Sequence, residues 1–119
     1  MSNATVGSVI EGLRRRYAAN LPSKVERAAA SVSAVLAGPW NPALGDIAHR
    51  LVHNLIGSSG TYGFQEFSVV ARSAETILRN AMESGVTPAP ESVLALQEIL
   101  ARLGGLAVMA ADDASTRVA

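Results

Sequence analysis

The chain has 119 residues, ten basic and ten acidic side chains, 49% hydrophobic residues and no cysteine. That is the length of one domain with enough apolar content for a core, which argues against disorder, and a formal charge of zero removes the general grip on phosphates that most nucleic-acid binders show. Without cysteine there is no disulfide, thiolate catalyst or thiolate metal site, and the two histidines are the neutral-pH nucleophiles that remain.

Charge is uneven along the chain: residues 1–40 hold five basic and two acidic groups, and residues 73–119 hold three basic and six acidic. No apolar run approaches the roughly 20 residues of a membrane span, and no basic stretch followed by an apolar one marks a secretory signal. A cytoplasmic protein is expected, with neither nucleic acid nor membrane as partner. Ser2-Asn3-Ala4 reads as a ragged start, and Asp112 to Arg117, without an apolar period, as a fraying end.

Apolar residues recur at three- and four-residue steps throughout, the period of helices. The first stripe is Val6, Val9, Ile10, Leu13 and Tyr17, resuming after Pro22 with Val25, Ala28, Ala29, Val32, Val35 and Leu36. Pro22 is expected to kink or split this helix. The breakers Gly38-Pro39-Trp40-Asn41-Pro42 follow, with Asn41 as N-cap and Pro42 in the first turn of a second helix. Gly57-Ser58-Ser59-Gly60-Thr61-Tyr62-Gly63 ends that helix or carries it one loosened turn further. A third helix shows Phe64, Phe67, Val70, Ala71, Ala74, Ile77, Leu78 and Ala81, and Gly85 stops it. Thr87-Pro88 offers a second cap and first-turn pair, and Val93, Leu96, Leu100, Leu103 and Ala107 mark a fourth helix to Gly104-Gly105 or slightly past. The expectation is an all-α fold, an antiparallel four-helix bundle with a kinked or split N-terminal helix. It forms one domain over 1–119 with a core of about 6–108 and frayed ends.

The segment 46–60 breaks its own local rules. On a helical wheel Leu44, Ile47, Ala48, Leu51 and Leu55 share a face centred near Leu44, the expected core stripe. His53 falls opposite, beside Asp46, His49, Arg50, Gly57 and Gly60, with Ile56 on the shoulder. A helical glycine costs on the order of 1 kcal/mol relative to alanine, so Gly57 one turn after His53 needs a reason. Steric clearance is a natural one: another protein's backbone, or a bulky tetrahedral group, gains room to approach the imidazole.

His53-Asn54-Leu55-Ile56-Gly57-Ser58-Ser59-Gly60-Thr61-Tyr62-Gly63-Phe64 resembles the phosphoacceptor motif of histidine phosphotransfer domains, where a leucine two residues after the histidine and a glycine four after it recur. Ala48 to Val52, Ala71 to Glu75 and the segment from Tyr17 to Pro22 also look like that family, so the resemblance spans roughly residues 6–108. It implies that His53 accepts a phosphoryl group from, and returns it to, aspartates on the receiver domains of response regulators or hybrid histidine kinases. Metal and cationic groups for the transfer then belong to the partner, and this chain needs no cofactor. The family often carries lysine three residues after the histidine, where this chain has Ile56. Arg50, one turn before His53, is the expected substitute near the phosphoryl group, and His49, Ile56, Gly57 and Gly60 the expected docking surface. The rival expectation is a helical interaction module that binds a receiver domain but, lacking that lysine, carries no phosphate.

Other residues receive plainer readings. Two histidines four apart can bind a metal, but only Asp46 lies near as a further ligand, so no metal site is assigned. Arg14-Arg15-Arg16 point in three directions around a helix and read as a solvated face. Phe64 and Phe67 read as core, Trp40 as a cover for one bundle end, and Ser58 and Ser59 lack the strand-turn-helix elbow of a serine nucleophile.

Overall fold

The computed structural model describes residues 3–116, and these are all-helical: α1 Asn3–Leu36, α2 Pro42–Thr61, α3 Gln65–Ser84 and α4 Pro90–Thr116. Contacts link α1 to α2 and α4, and α3 to α2 and α4, so the helices close into a four-membered ring. Neighbours run antiparallel. Arg14 and Tyr17 of α1 meet Tyr62 and Ser58 at the end of α2, and Glu66 of α3 meets Arg102 of α4. The centre is filled by Leu21, Val32 and Val35 from α1, Val52 from α2, Leu78 from α3, and Leu96 and Leu103 from α4, all fully buried. Each such side chain contributes on the order of 1.5–3 kcal/mol of burial.

The boundaries follow from local chemistry. Asn41 Oδ1 accepts hydrogen bonds from the backbone N–H of Ala43 at 2.9 Å and Leu44 at 3.2 Å, with Pro42 in the first turn, as its sequence implies. Gly85 closes α3 in the left-handed region at φ 69°, and Gly63 takes φ 83° in the turn between α2 and α3. Pro22 does not split α1, which runs unbroken through it. Two expectations for α4 need correction. It begins at Pro90 and not at Pro88, because each proline holds the residue before it out of the helical region and the later one decides. It also continues past Gly104 and Gly105 to Thr116, so residues 112–116 of the expected fraying end are helical, and its last residue, Arg117, like Ser2 of the expected ragged start, lies outside the described residues. Ala107 and Ala114 prolong the buried Leu96–Leu100–Leu103 stripe, and packing against α1 outweighs two helical glycines.

Length explains the exposed residues of α1. Its 34 residues rise about 51 Å at 1.5 Å each, close to the whole 54 Å long axis, whereas the 20 residues of α2 and α3 cover about 30 Å. The first turns of α1 thus outrun the α2–α3 hairpin. Val6, Val9, Ile10 and Leu13 are exposed there, between 41% and 57%, and the core stripe begins at Tyr17. Among the described residues α4 alone is long and apolar enough to cross a membrane by length and composition, with a window of mean hydropathy 1.6. Its Leu96, Leu100, Leu103 and Ala107 are nonetheless in the bundle core.

An aromatic cluster pins the α2–α3 turn under α1. Tyr17 stacks on Tyr62 with ring centroids 4.7 Å apart and lies 5.8 Å from Phe64. Arg14 donates from Nε to the Tyr62 carbonyl at 2.9 Å and spreads its guanidinium over Phe64. The Ser58 hydroxyl donates to the Asn54 carbonyl, so the 2.7 Å contact between Tyr17 and Ser58 has the phenol as donor. Burial pushes the Tyr17 phenol above its usual range.

At the other end, half-buried Trp40 lies across the first turn of α2, directly on Gly45: a Cβ built there would overlap the indole ring. Gly45→Ala should therefore destabilise the protein by about 1–3 kcal/mol in spite of alanine's better helix propensity. The expected signature is a lower denaturant midpoint together with red-shifted emission from Trp40, the single tryptophan.

Candidate functional site

The buried face of α2 is Gly45, Ala48, Val52, Leu55 and Ser59, while Leu44 and Ile47 are exposed. Compared with the stripe expected from the largest apolar residues, this face is turned by about 60° at 3.6 residues per turn. Small residues decide it: Gly45 admits Trp40, and Ala48 and Ser59 let the neighbouring helices close in. His53 is consequently not opposite the core but about 120° from its centre, on the flank that faces α3.

That flank carries a cross-helix polar cluster. His53 Nδ1 lies 2.5 Å from Glu75 Oε2, and Arg79 Nη2 donates to Glu75 Oε1 at 2.8 Å. His49 Nε2 is 3.6 Å from the same Oε2, and the two imidazoles lie nearly parallel with centroids 6.0 Å apart. Exposure grades steeply across the cluster: the His53 side chain is 63% exposed, His49 23% and Glu75 11%. The imidazole therefore faces outward as expected, but it is not unpaired, and its partner Glu75 is a residue that the sequence pattern does not single out. With Nδ1–H given to Glu75, Nε2 is the ring nitrogen that keeps a free lone pair.

Burial alone would raise the Glu75 carboxyl, but the hydrogen bond from His53 and the charges of Arg79, His53 and His49 outweigh it and hold the carboxyl below its usual range. One turn away, Ser68 Oγ of α3 donates to the Ile56 carbonyl at 3.2 Å, and Ser59 Oγ donates to the same oxygen at 3.2 Å. The Ser68 bond ties α3 to α2 beside the cluster and helps fix the register that sets His53 against Glu75, while the Ser59 bond stays within α2.

The other expected site residues are distributed around His53. Arg50 Nη2 pairs with Asp46 Oδ2 at 2.6 Å on the outer face of α2, so a carboxylate of its own helix holds it, weakly, as exposed pairs are held. Ile56 is half-buried and packs against the core. Gly57 is exposed, and a Cβ built on it would meet nothing; at Gly60 it would meet only Ser68 Oγ, at 3.7 Å. His49 sits at the inner edge of this surface with its Nε2 buried. Among the described residues no group of three or more histidine, aspartate or glutamate side chains is arranged to hold a metal ion. Comparison of the chain with family models, with curated proteins and with solved structures gives no match.

The depressed Glu75 carboxyl fixes the sign of a pH effect. Its contribution to stability is fully present above the ordinary carboxylate range and is lost as pH falls through the lower native value. Glu75→Gln should lower the unfolding free energy by about 1–3 kcal/mol near pH 7. The gap from the parent protein should close as denaturation is repeated at progressively lower pH below about 4.

Proposed function

We propose that this chain is a histidine phosphotransfer domain in which His53 accepts a phosphoryl group from an aspartyl phosphate on a receiver domain and passes it to another. The observation that carries the reading is the His53–Glu75 pair: an exposed imidazole, on a helix, with one nitrogen committed to a buried carboxylate and the other open. Such an arrangement fixes the tautomer and places a negative charge where the ring becomes positive. In the transfer, Nε2 attacks phosphorus, the N–P bond forms as the P–O bond to the aspartate breaks, and the carboxylate leaves with the receiver. The Nδ1 proton stays on the ring, facing Glu75, and the reverse reaction uses the same groups. Cytoplasmic location and receiver-domain partners belong to this reading.

Gly57 supports it from another side. Several helical glycines stand in open space in this chain, but Gly57 does so one turn from His53, where the fold makes no use of its missing side chain. A partner's surface is what the clearance serves. The rival reading, a receiver-binding module without phosphate, draws on Ile56, which brings an apolar side chain to the position where the resembling family often has a cation.

Incubation with a phosphorylated receiver domain should place an acid-labile, base-stable label on the protein and none on His53→Gln. Binding without label in the parent protein would favour the rival. Gly57→Ala should separate surface from chemistry: stability rises by about 0.5–1 kcal/mol. Transfer from a receiver domain slows tenfold or more, and labelling by phosphoramidate, a small donor that needs no docking, is unchanged.

A further inference from the structure

His49 leaves a buried polar atom to be accounted for. Its Nε2 is out of reach of solvent and has no hydrogen-bond partner, and the acceptor facing it is Glu75 Oε2 at 3.6 Å. A buried ring nitrogen without a partner is rare enough to call for a reason. The distance is beyond a hydrogen bond, but a small shift of either side chain would make one. The same oxygen meets His53 Nδ1 at 2.5 Å, while Arg79 holds Oε1 from the opposite side.

Resting on the reading of His53 as the acceptor, we propose that His49 is a positioning residue: with its proton on Nε2 it holds Glu75 Oε2 in line with His53 Nδ1. His53 is largely exposed, so packing does little to fix its ring, and its orientation depends on where Glu75 Oε2 lies. The carboxylate can turn about its own side-chain bonds. Arg79, itself 52% exposed, pulls it toward solvent along α3, and His49 is the inward counterpart. His53, Arg79 and His49 are the charged or titratable groups that act on Glu75, the first and last from α2 and Arg79 from α3. His49 and His53 are one turn apart on α2 with rings 19° from parallel, so both present a ring edge to the same carboxylate. Removing the inner hold lets Oε2 follow Arg79 away from His53, whose proton is then free to move to Nε2, the nitrogen that must be bare to attack phosphorus.

The test uses isosteres. Glutamine carries its amide nitrogen where histidine has Nε2, and asparagine where histidine has Nδ1. Histidine-ring ¹⁵N shifts, recorded above the titration of both rings, give the fraction of His53 with its proton on Nδ1. The Nδ1–H form should dominate in the parent protein and in His49→Gln. It should fall at least threefold relative to the Nε2–H form in His49→Asn and His49→Leu, with unchanged circular dichroism. Labelling of His53 by phosphoramidate should slow about tenfold in the same two variants and recover in His49→Gln. An unmoved tautomer in His49→Leu, or His49→Gln behaving like His49→Asn, overturns the role. If the tautomer shifts as described but neither phosphoramidate nor a phosphorylated receiver labels the parent protein, the positioning role stands and the phosphoacceptor reading falls. If the parent protein is labelled and the variants show no tautomer shift, the phosphoacceptor reading stands and the positioning role falls.

Discussion

A carboxylate almost wholly removed from water must be surrounded by donors, and in this bundle that requirement falls on Glu75. Its two oxygens are met by Arg79 from the next turn of α3 and by His53 across the seam from α2. The pair with Arg79 has the glutamate four residues before the arginine, the favourable order on a helix, and needs no tertiary structure. The pair with His53 does, because it exists only in one register of α2 against α3. The Ser68 hydroxyl of α3 on the Ile56 carbonyl of α2, with the small Gly60 facing Ser68, holds that register one turn away. Satisfaction of a buried charge and the orientation of an exposed imidazole are thus one geometric fact.

Helix count, the caps at Asn41 and Gly85 and most of the core were legible in the sequence because each rests on short-range chemistry. Asn41-Pro42 and Gly85 act within one turn, and the stripe from Phe67 to Ala81 repeats a period that only a helix has. Glu75 was not legible. In the sequence it ends the run from Ala71 that resembles the family, but as one of ten acidic residues it carries no assigned role there; its role appears only when residue 75 is brought against residue 53. The rotation of α2 was hidden for a related reason. A wheel weighted by hydrophobicity follows Leu44 and Ile47, whereas packing follows the small residues Gly45, Ala48 and Ser59, which let neighbours approach. The end of α4 is obscured in the opposite way, since two consecutive glycines carry a strong local stop signal that a long interface with α1 overrides.

Gly45 and Gly57 show why residue type alone could not assign roles. Both stand in α2 and both weaken it locally. Gly45 is filled from within, by the indole of Trp40, and its absence of a side chain is a demand of the fold. Gly57 faces open solvent, and the fold demands nothing of it. Gly7, Gly12, Gly104 and Gly105 are equally open, and what sets Gly57 apart is its place one turn from the His53 imidazole.

Charge around the imidazole follows the same division between inner and outer. Ile56 turns toward the core, so the helix offers no cation at the position three residues after His53. The cations flanking the cluster are Arg50 and Arg79, and each already rests on a carboxylate, Asp46 or Glu75. Both guanidiniums are more than half exposed. Only the Arg50–Asp46 pair is exposed on both sides, and pairs of that kind are worth about 0–1 kcal/mol, so exchanging its carboxylate for another anion costs little. The two exchanges differ in consequence. If Arg50 leaves Asp46, an exposed carboxylate simply returns to water. If Arg79 leaves Glu75, a buried carboxylate loses one of its two hydrogen bonds and leans more heavily on the imidazole that remains. The outer arginine is therefore the one free to follow an anion, while the inner one stays coupled to the orientation of His53.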